Sequence, residues 1–163
     1  NLYPANSGLV EEIGDGLAAG SVINIPLPAG SGIGAYSSAF DRVVLPAIRR
    51  FNPDVIVITS GFDSSAFDPL AQMLLTASGY SELTKKILLL ADEVCSGRVM
   101  MTHEGGDSPV YVPYCGLAVL EQMSGIKTGM NDPYGHAFEN LPDQKLSAAQ
   151  ADRISQVVAT HAL

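Results

Sequence analysis

Two aspartates stand just beyond a run of β-branched residues: Val55-Ile56-Val57-Ile58 leads through Thr59-Ser60-Gly61-Phe62 to Asp63 and then to Asp68-Pro69. The unbroken apolar run, with helical patterns on either side, reads as a strand buried on both faces of a parallel sheet. Open α/β sheets place ligand chemistry just past the carboxyl ends of their strands, and Gly61 lets the chain turn sharply there. Held on a short loop stiffened by Pro69, the Asp68 carboxylate is a candidate metal ligand. The competing reading needs only backbone partners, with the aspartate capping a helix or closing a turn. A second loop of this kind, Glu104-Gly105-Gly106-Asp107, follows Arg98-Val99-Met100-Met101-Thr102, with His103 at the same strand end.

The other candidates for chemistry are weaker. Gly14-Asp15-Gly16-Leu17-Ala18-Ala19 fits a G-x-G-x-x-A fingerprint but precedes a strand instead of following one, the wrong order for a dinucleotide site. Gly30-Ser31-Gly32-Ile33-Gly34-Ala35 lies between an expected strand and a helix, so a phosphate at that helix's amino end is physically possible. His103, His136 and His161 are far apart, with no H-x-x-x-H or D-x-H pair to hold a metal, and no G-x-S-x-G elbow marks a serine nucleophile. Neither Cys95 nor Cys115 lies in an electropositive setting that would favour a thiolate.

The elements that must position these residues follow from periodicity. Residues 1–20, rich in Gly, Asn, Ser and acids, read as loop. Ser21 to Pro28 alternates as a strand would, although Pro26 cannot donate to a ladder and suggests an edge. Tyr36, Phe40, Val43, Val44, Ala47, Ile48 and Phe51 give an amphipathic helix over 35–51, ending in Arg49 and Arg50 where the dipole favours cations and bent by Pro46. Tyr80, Leu83, Ile87, Leu90, Ala91 and Val94 form a second stripe over 78–95, closed by Ser96-Gly97. Arg98 to Thr102 is a second strand, 111–123 a helix, 131–141 a loop, and 147–162 a last helix with Ala148, Ala151, Ile154, Val157 and Val158 on one face. The β-α-β-α-β order implies an α/β fold with a parallel sheet sandwiched by helices in three layers, and puts the loops at 61–68 and 104–107 side by side.

Composition bounds the function. With 163 residues, 47% of them hydrophobic, the chain suits one domain with a substantial core, and no apolar run is long enough to cross a bilayer. A formal charge of -8 with scattered lysines and arginines argues against direct nucleic-acid binding. Two unpaired cysteines fit a reducing, cytoplasmic compartment. Residue 1 is Asn, which leads us to expect a cut amino end.

Read together, the loops carry a resemblance. Asn24-Ile25-Pro26-Leu27-Pro28-Ala29-Gly30, Val44-Leu45-Pro46-Ala47-Ile48, Phe51-Asn52-Pro53-Asp54, Ser60-Gly61-Phe62-Asp63, Asp68-Pro69-Leu70, Leu75-Thr76 and His103-Glu104-Gly105-Gly106 resemble the carboxyl-terminal half of the zinc-dependent histone deacetylase superfamily. Tyr111-Val112-Pro113-Tyr114-Cys115-Gly116-Leu117 is similar to its bacterial class II-like and acetylpolyamine amidohydrolase branch. The likeness covers nearly the whole chain and weakens after about Gly125. It implies an arginase-deacetylase fold, with Asp68 as a Zn²⁺ ligand, Leu75 lining an acyl-lysine tunnel, Gly105 and Gly106 forming its wall, and Asp63 holding the loop. The implied reaction is hydrolysis of acetyl-lysine, acetylpolyamine or a similar small amide.

Two departures qualify that implication. The family's other zinc ligands, an Asp-x-His pair, and its tandem general-base histidines occur nowhere in this sequence, and a catalytic zinc needs three protein ligands. The expectation is therefore that residues 1–163 are the carboxyl-terminal portion of a single deacetylase domain, inactive alone and completed by an amino-terminal half. Half a sheet should also leave an exposed apolar edge, prone to aggregation or to tight pairing, including with a second copy. In addition, Asp107 stands where the family has a tyrosine that donates to the tetrahedral oxyanion. A non-catalytic binding or assembly module is the alternative these departures favour, and a nucleotide-binding α/β domain using 30–34 is a third.

Overall fold

A computed structural model describes residues 6–163. The part of the amino-terminal loop expectation that falls on residues 1–5 lies outside the described residues. Residues 6–32 are mostly irregular, with one 3₁₀ turn at Gly16–Ala18. A long helical stretch follows, in three pieces: α1 (Ile33–Ala39), a π-helical turn (Phe40–Val44) and α2 (Leu45–Phe51). Pro46 is the physical reason for the break. It has no N–H to give, and the wider π turn just before it absorbs the interruption without ending the helix. Asn52 then ends α2 in the left-handed conformation, its N–H bonded to the Ile48 carbonyl.

β1 (Ile56–Ser60) pairs in parallel with β2 (Val99–His103), joined by the crossover helix α3 (Ala77–Cys95). Thr76 caps α3, accepting from the Gly79 N–H, and Ser96 closes it in the left-handed region. Ile56 pairs with Val99 and Ser60 with His103. The two strands thus begin and end level, and their trailing loops leave from one rim. α4 (Val112–Ser124) packs along α3. α5 (His136–Glu139) interrupts the expected 131–141 loop, a 3₁₀ turn (Pro142–Gln144) follows it, and α6 (Ala148–His161) opens with a full capping box between Ser147 and Gln150.

Three apolar clusters hold these parts together. Phe62, Leu75, Tyr80, Leu83, Tyr111, Cys115 and Val119 lie between the loops, α3 and α4. Ile56, Ile87, Ala91 and Cys95 join β1 to α3. Val10, Ala39, Val43, Ile154 and Val157 join α6 to the π turn. Helices cover the sheet face carrying Ile56, while Val57 and Met100 on the other face are 56% and 52% exposed. Among the described residues the chain therefore supplies a parallel pair and one helical layer, with the opposite sheet face bare. No helix of the described residues is long and apolar enough to cross a membrane.

Two expectations need correction here. Ser21 to Pro28 forms no strand: Ile23, Ile25 and Leu27 do alternate and pack on the α6 cluster, but among the described residues no neighbouring strand pairs with them. A cleft of about 690 Å³, lined by Ser21, Ile23, Phe51, Val55 and Val57, separates this segment from β1. Alternation reports two environments for side chains, not the presence of a ladder partner. The glycines at 30–34 are not a phosphate cradle either. Gln144 occupies the start of α1, its Oε1 accepting from the Ile33 N–H at 2.9 Å while its Nε2 donates to the Leu74 carbonyl at 2.8 Å. A Cβ on Gly34 would stand 2.6 Å from the Gln144 carbonyl oxygen and from the Leu146 nitrogen. These glycines admit a neighbouring backbone instead of a nucleotide. Gly34→Ala should therefore lower stability by about 1–3 kcal/mol, the usual cost of forcing extra volume into a packed site, read as a drop in the urea midpoint at unchanged slope.

Candidate metal centre

The loop after β1 folds back on itself. The Ser65 N–H bonds to the Phe62 carbonyl and the Asp68 N–H to the Ser65 carbonyl, both at 3.0 Å, and Ser65 forms an isolated parallel bridge with Leu75. This brings Asp68 to the rim with only 9% of its surface exposed. Its Oδ1 accepts from the Leu70 and Ala71 amides at 2.9 and 2.8 Å, and its Oδ2 accepts from the Asp107 amide at 2.9 Å. Burial alone would raise its pKa, but the Ala71, Asp107 and Leu70 amides outweigh that and hold the carboxyl below the ordinary aspartate value. Asp68 is a buried, ionised carboxylate.

The second loop reaches the same place. The Phe62 N–H donates to the Gly105 carbonyl at 2.8 Å and the Glu104 N–H to the Ser60 carbonyl at 3.1 Å, so residues 104–107 lie against 60–62. At Gly105 a Cβ would stand 2.8 Å from the Asp63 Cγ, so a larger residue would displace that carboxylate. Gly106 has φ +127°, and a Cβ would lie 2.9 Å from Val112 Cγ2 and 3.0 Å from Phe62 Cβ. One carboxylate oxygen from each of Asp63, Asp68 and Asp107 falls within 4.8 Å of the other two. The structure thus brings Asp68, Gly105, Gly106 and Asp107 together on one rim.

Leu75 is not at that rim. It is 1% exposed and packs in the core with Phe62, Tyr80 and Tyr111, its N–H bonded to the Ser64 carbonyl at 3.0 Å. The bridge to Ser65 ties this residue into the packed interior, where it also lines a cavity of about 290 Å³ with Tyr36, Gly61 and Ser64. His103 stays outside the carboxylate group, its ring 5.3 Å from that of Phe62. Cys115 is fully buried and burial pushes its thiol up to about 12, so it is no nucleophile. The contact that joins the second loop to Asp68 itself is the Asp107 backbone N–H, which side-chain identity does not announce; the glycine pair beside it is the available signal.

With this geometry in view, comparison with known proteins becomes informative. A family model described as the histone deacetylase domain matches residues 1–123. The chain belongs to the histone deacetylase domain family. It is 40% identical over 162 residues to the histone deacetylase-like amidohydrolase of Pseudomonas aeruginosa, covering 99% of this chain and 43% of that protein. A probable deacetylase of Archaeoglobus fulgidus is 37% identical over 149 residues, covering 90% and 41%. The crystal structure of the HDA15 HD domain superposes with a TM-score of 0.81 at 27% identity, over 99% of this chain and 40% of that one. The chain thus has the α/β fold of histone deacetylase domains, and it spans less than half the length of the curated relatives it matches.

How far the residues present fit a metal follows from the donors. A carboxylate offers about four lone-pair positions; three on Asp68 are taken by amides, leaving one on Oδ2. That suits a single metal bond from a pre-oriented ligand. The full cluster of three carboxylates supplies only hard oxygen and no imidazole, unlike the mixed sets that hold catalytic zinc. Asp68 fits one ligand of such a site, and the described residues do not complete it. Removing the carboxylate should also unlatch the loops. Asp68→Ala leaves three amides without their acceptor, so denaturation should show a loss of about 1–3 kcal/mol, and hydrogen exchange at the Asp107 amide should quicken; unchanged exchange would mean that the two loops are held by something else.

Proposed function

We propose that this chain forms part of a zinc-dependent amidohydrolase that removes acetyl groups from acetyl-lysine, acetylpolyamine or similar small amides, with Asp68 as one of three protein ligands to the metal. The observation that carries the reading is the Asp68 carboxylate, buried, ionised and fixed at a rim shared with residues 105–107. Family membership and relatives named as deacetylases support it. Zinc bound there would polarise the acyl carbonyl and acidify a water. The role of this chain's residues is narrower. The Leu70, Ala71 and Asp107 amides keep Asp68 charged and aimed, and Gly105 and Gly106, which the family resemblance gives to the tunnel wall, let their loop lie close against Asp63 and Phe62. The remaining ligands and the general base come from outside these 163 residues, so the chain alone does not turn over substrate.

Asp107 favours a second reading, a deacetylase-like module without catalysis. A carboxylate at the position that the family resemblance gives to an oxyanion donor would repel the developing negative charge, and loss of one such donor costs on the order of 10²–10³ in rate. The full-length protein separates the readings: stoichiometric zinc with hydroxamate-sensitive release of acetate from an acetyl-lysine reporter is expected, and the absence of both would leave the module. In that protein Asp107→Tyr should raise turnover by on the order of 10²-fold, and an unchanged rate would show that position 107 does not face the oxyanion.

A further inference from the structure

The two loops of the rim share a support that neither contains. Phe67, next to Asp68, places its ring 4.9 Å from Tyr111, 5.4 Å from Tyr134 and 4.9 Å from Phe138. Tyr111 is the residue that starts α4, and its N–H bonds back to Ser108, adjacent to Asp107. The Tyr111 ring is fully buried, and its hydroxyl donates to Asp132 Oδ2 at 2.6 Å while accepting from the Ala77 N–H at 3.1 Å. Asp132 Oδ1 in turn accepts from the Tyr134 and Gly135 amides at 2.8 and 3.0 Å, which sets the turn into α5. One segment, 132–139, thus grips the Asp68 loop through Phe67 and the Asp107 loop through Tyr111. It lies beyond the residues matched by the family model.

We propose that Asp132 to Glu139 is a clasp that sets the spacing of Asp68 and Asp107, with Phe67, Tyr111 and Asp132 as positioning residues for the metal site. The proposal rests on Asp68 being a metal ligand. Physically, Asp68 is held by amides of its own loop and by one amide of the other. A shift between the loops would break the Asp107 bond and turn Oδ2, the oxygen with the free lone pair. The aromatic cluster resists that shift because the Phe67 ring, 36% exposed, meets Tyr111 just before α4, Tyr134, and Phe138 of α5. The Tyr111–Asp132 bond ties those rings to the segment that carries them, and burial with the Asp132 carboxylate keeps that hydroxyl a proton donor.

The test uses the full-length protein loaded with zinc. Tyr111→Phe keeps the ring and removes only the hydroxyl, and Asp132→Asn keeps the shape; each should weaken zinc binding by about tenfold, the lower end of what outer partners of metal ligands contribute. Each should also speed hydrogen exchange at the Leu70, Ala71 and Asp107 amides. Phe67→Ala should do the same and Phe67→Leu should recover most of the loss. Tyr80→Phe is the control, since the Tyr80 hydroxyl is buried with no hydrogen-bond partner, and it should change neither readout. Zinc affinity and amide exchange unaltered in Tyr111→Phe and Phe67→Ala would overturn the clasp. Zinc retained in Asp68→Ala would instead overturn the ligand reading, while the exchange measurement would still decide whether the clasp holds the loops.

Discussion

Burying a carboxylate without a cation beside it is costly unless hydrogen-bond donors replace its water. This chain meets that requirement at Asp68 with three backbone amides, two from its own turn and one from a loop 39 residues away. Much of the local structure serves to deliver that third amide. The level register of β1 and β2 brings both loops to one end. Gly105 and Gly106 let the second loop pass over Asp63 and Phe62, where any side chain would collide. Thr76 and Ser96 fix the ends of the crossover helix between the strands. A metal ligand is usually oriented by its outer hydrogen bonds; in the role proposed for Asp68, the bonds that would orient it also join the sheet's two trailing loops.

Much of this was legible in the sequence for a definite reason. The helices over 78–95, 111–123 and 147–162 and the strands at 55–58 and 98–102 have strong periodicity and chemical stops, so the structure moves their ends by only a residue or two. The parallel arrangement of the two strands then followed from the intervening helix, and with it the adjacency of Asp68 and residues 104–107. The sequence was misleading where a local pattern depended on a distant partner. Ile23, Ile25 and Leu27 alternate because their side chains reach a core, yet a strand also needs a ladder. Gly32 and Gly34 lie against the segment from Asp143 to Leu146, while Gly30 turns at positive φ with open space beside it, and the contact at 32–34 spans more than a hundred residues.

The site was half legible for the same reason. Residue type marks Asp68 and the glycine pair, but no residue type marks a backbone donor such as the Asp107 amide. Leu75 matched a motif by its place before Thr76, and the bridge to Ser65 sends it to the core. Tyr111 entered only as part of a motif, and neither Phe67 nor Asp132 is marked by residue type, because their roles come from rings and hydroxyls that meet only in the folded chain.

The donor count bears on how the proposed site would divide its work. For a metal shared between Asp68 and other ligands, the rigidity of the Asp68 side would matter more than its strength, since Oδ2 offers a single direction for bonding. One carboxylate oxygen from each of Asp63 and Asp107 lies within 4.8 Å of the Asp68 carboxylate, and the three amides on Asp68 fix which of its oxygens keeps a free lone pair.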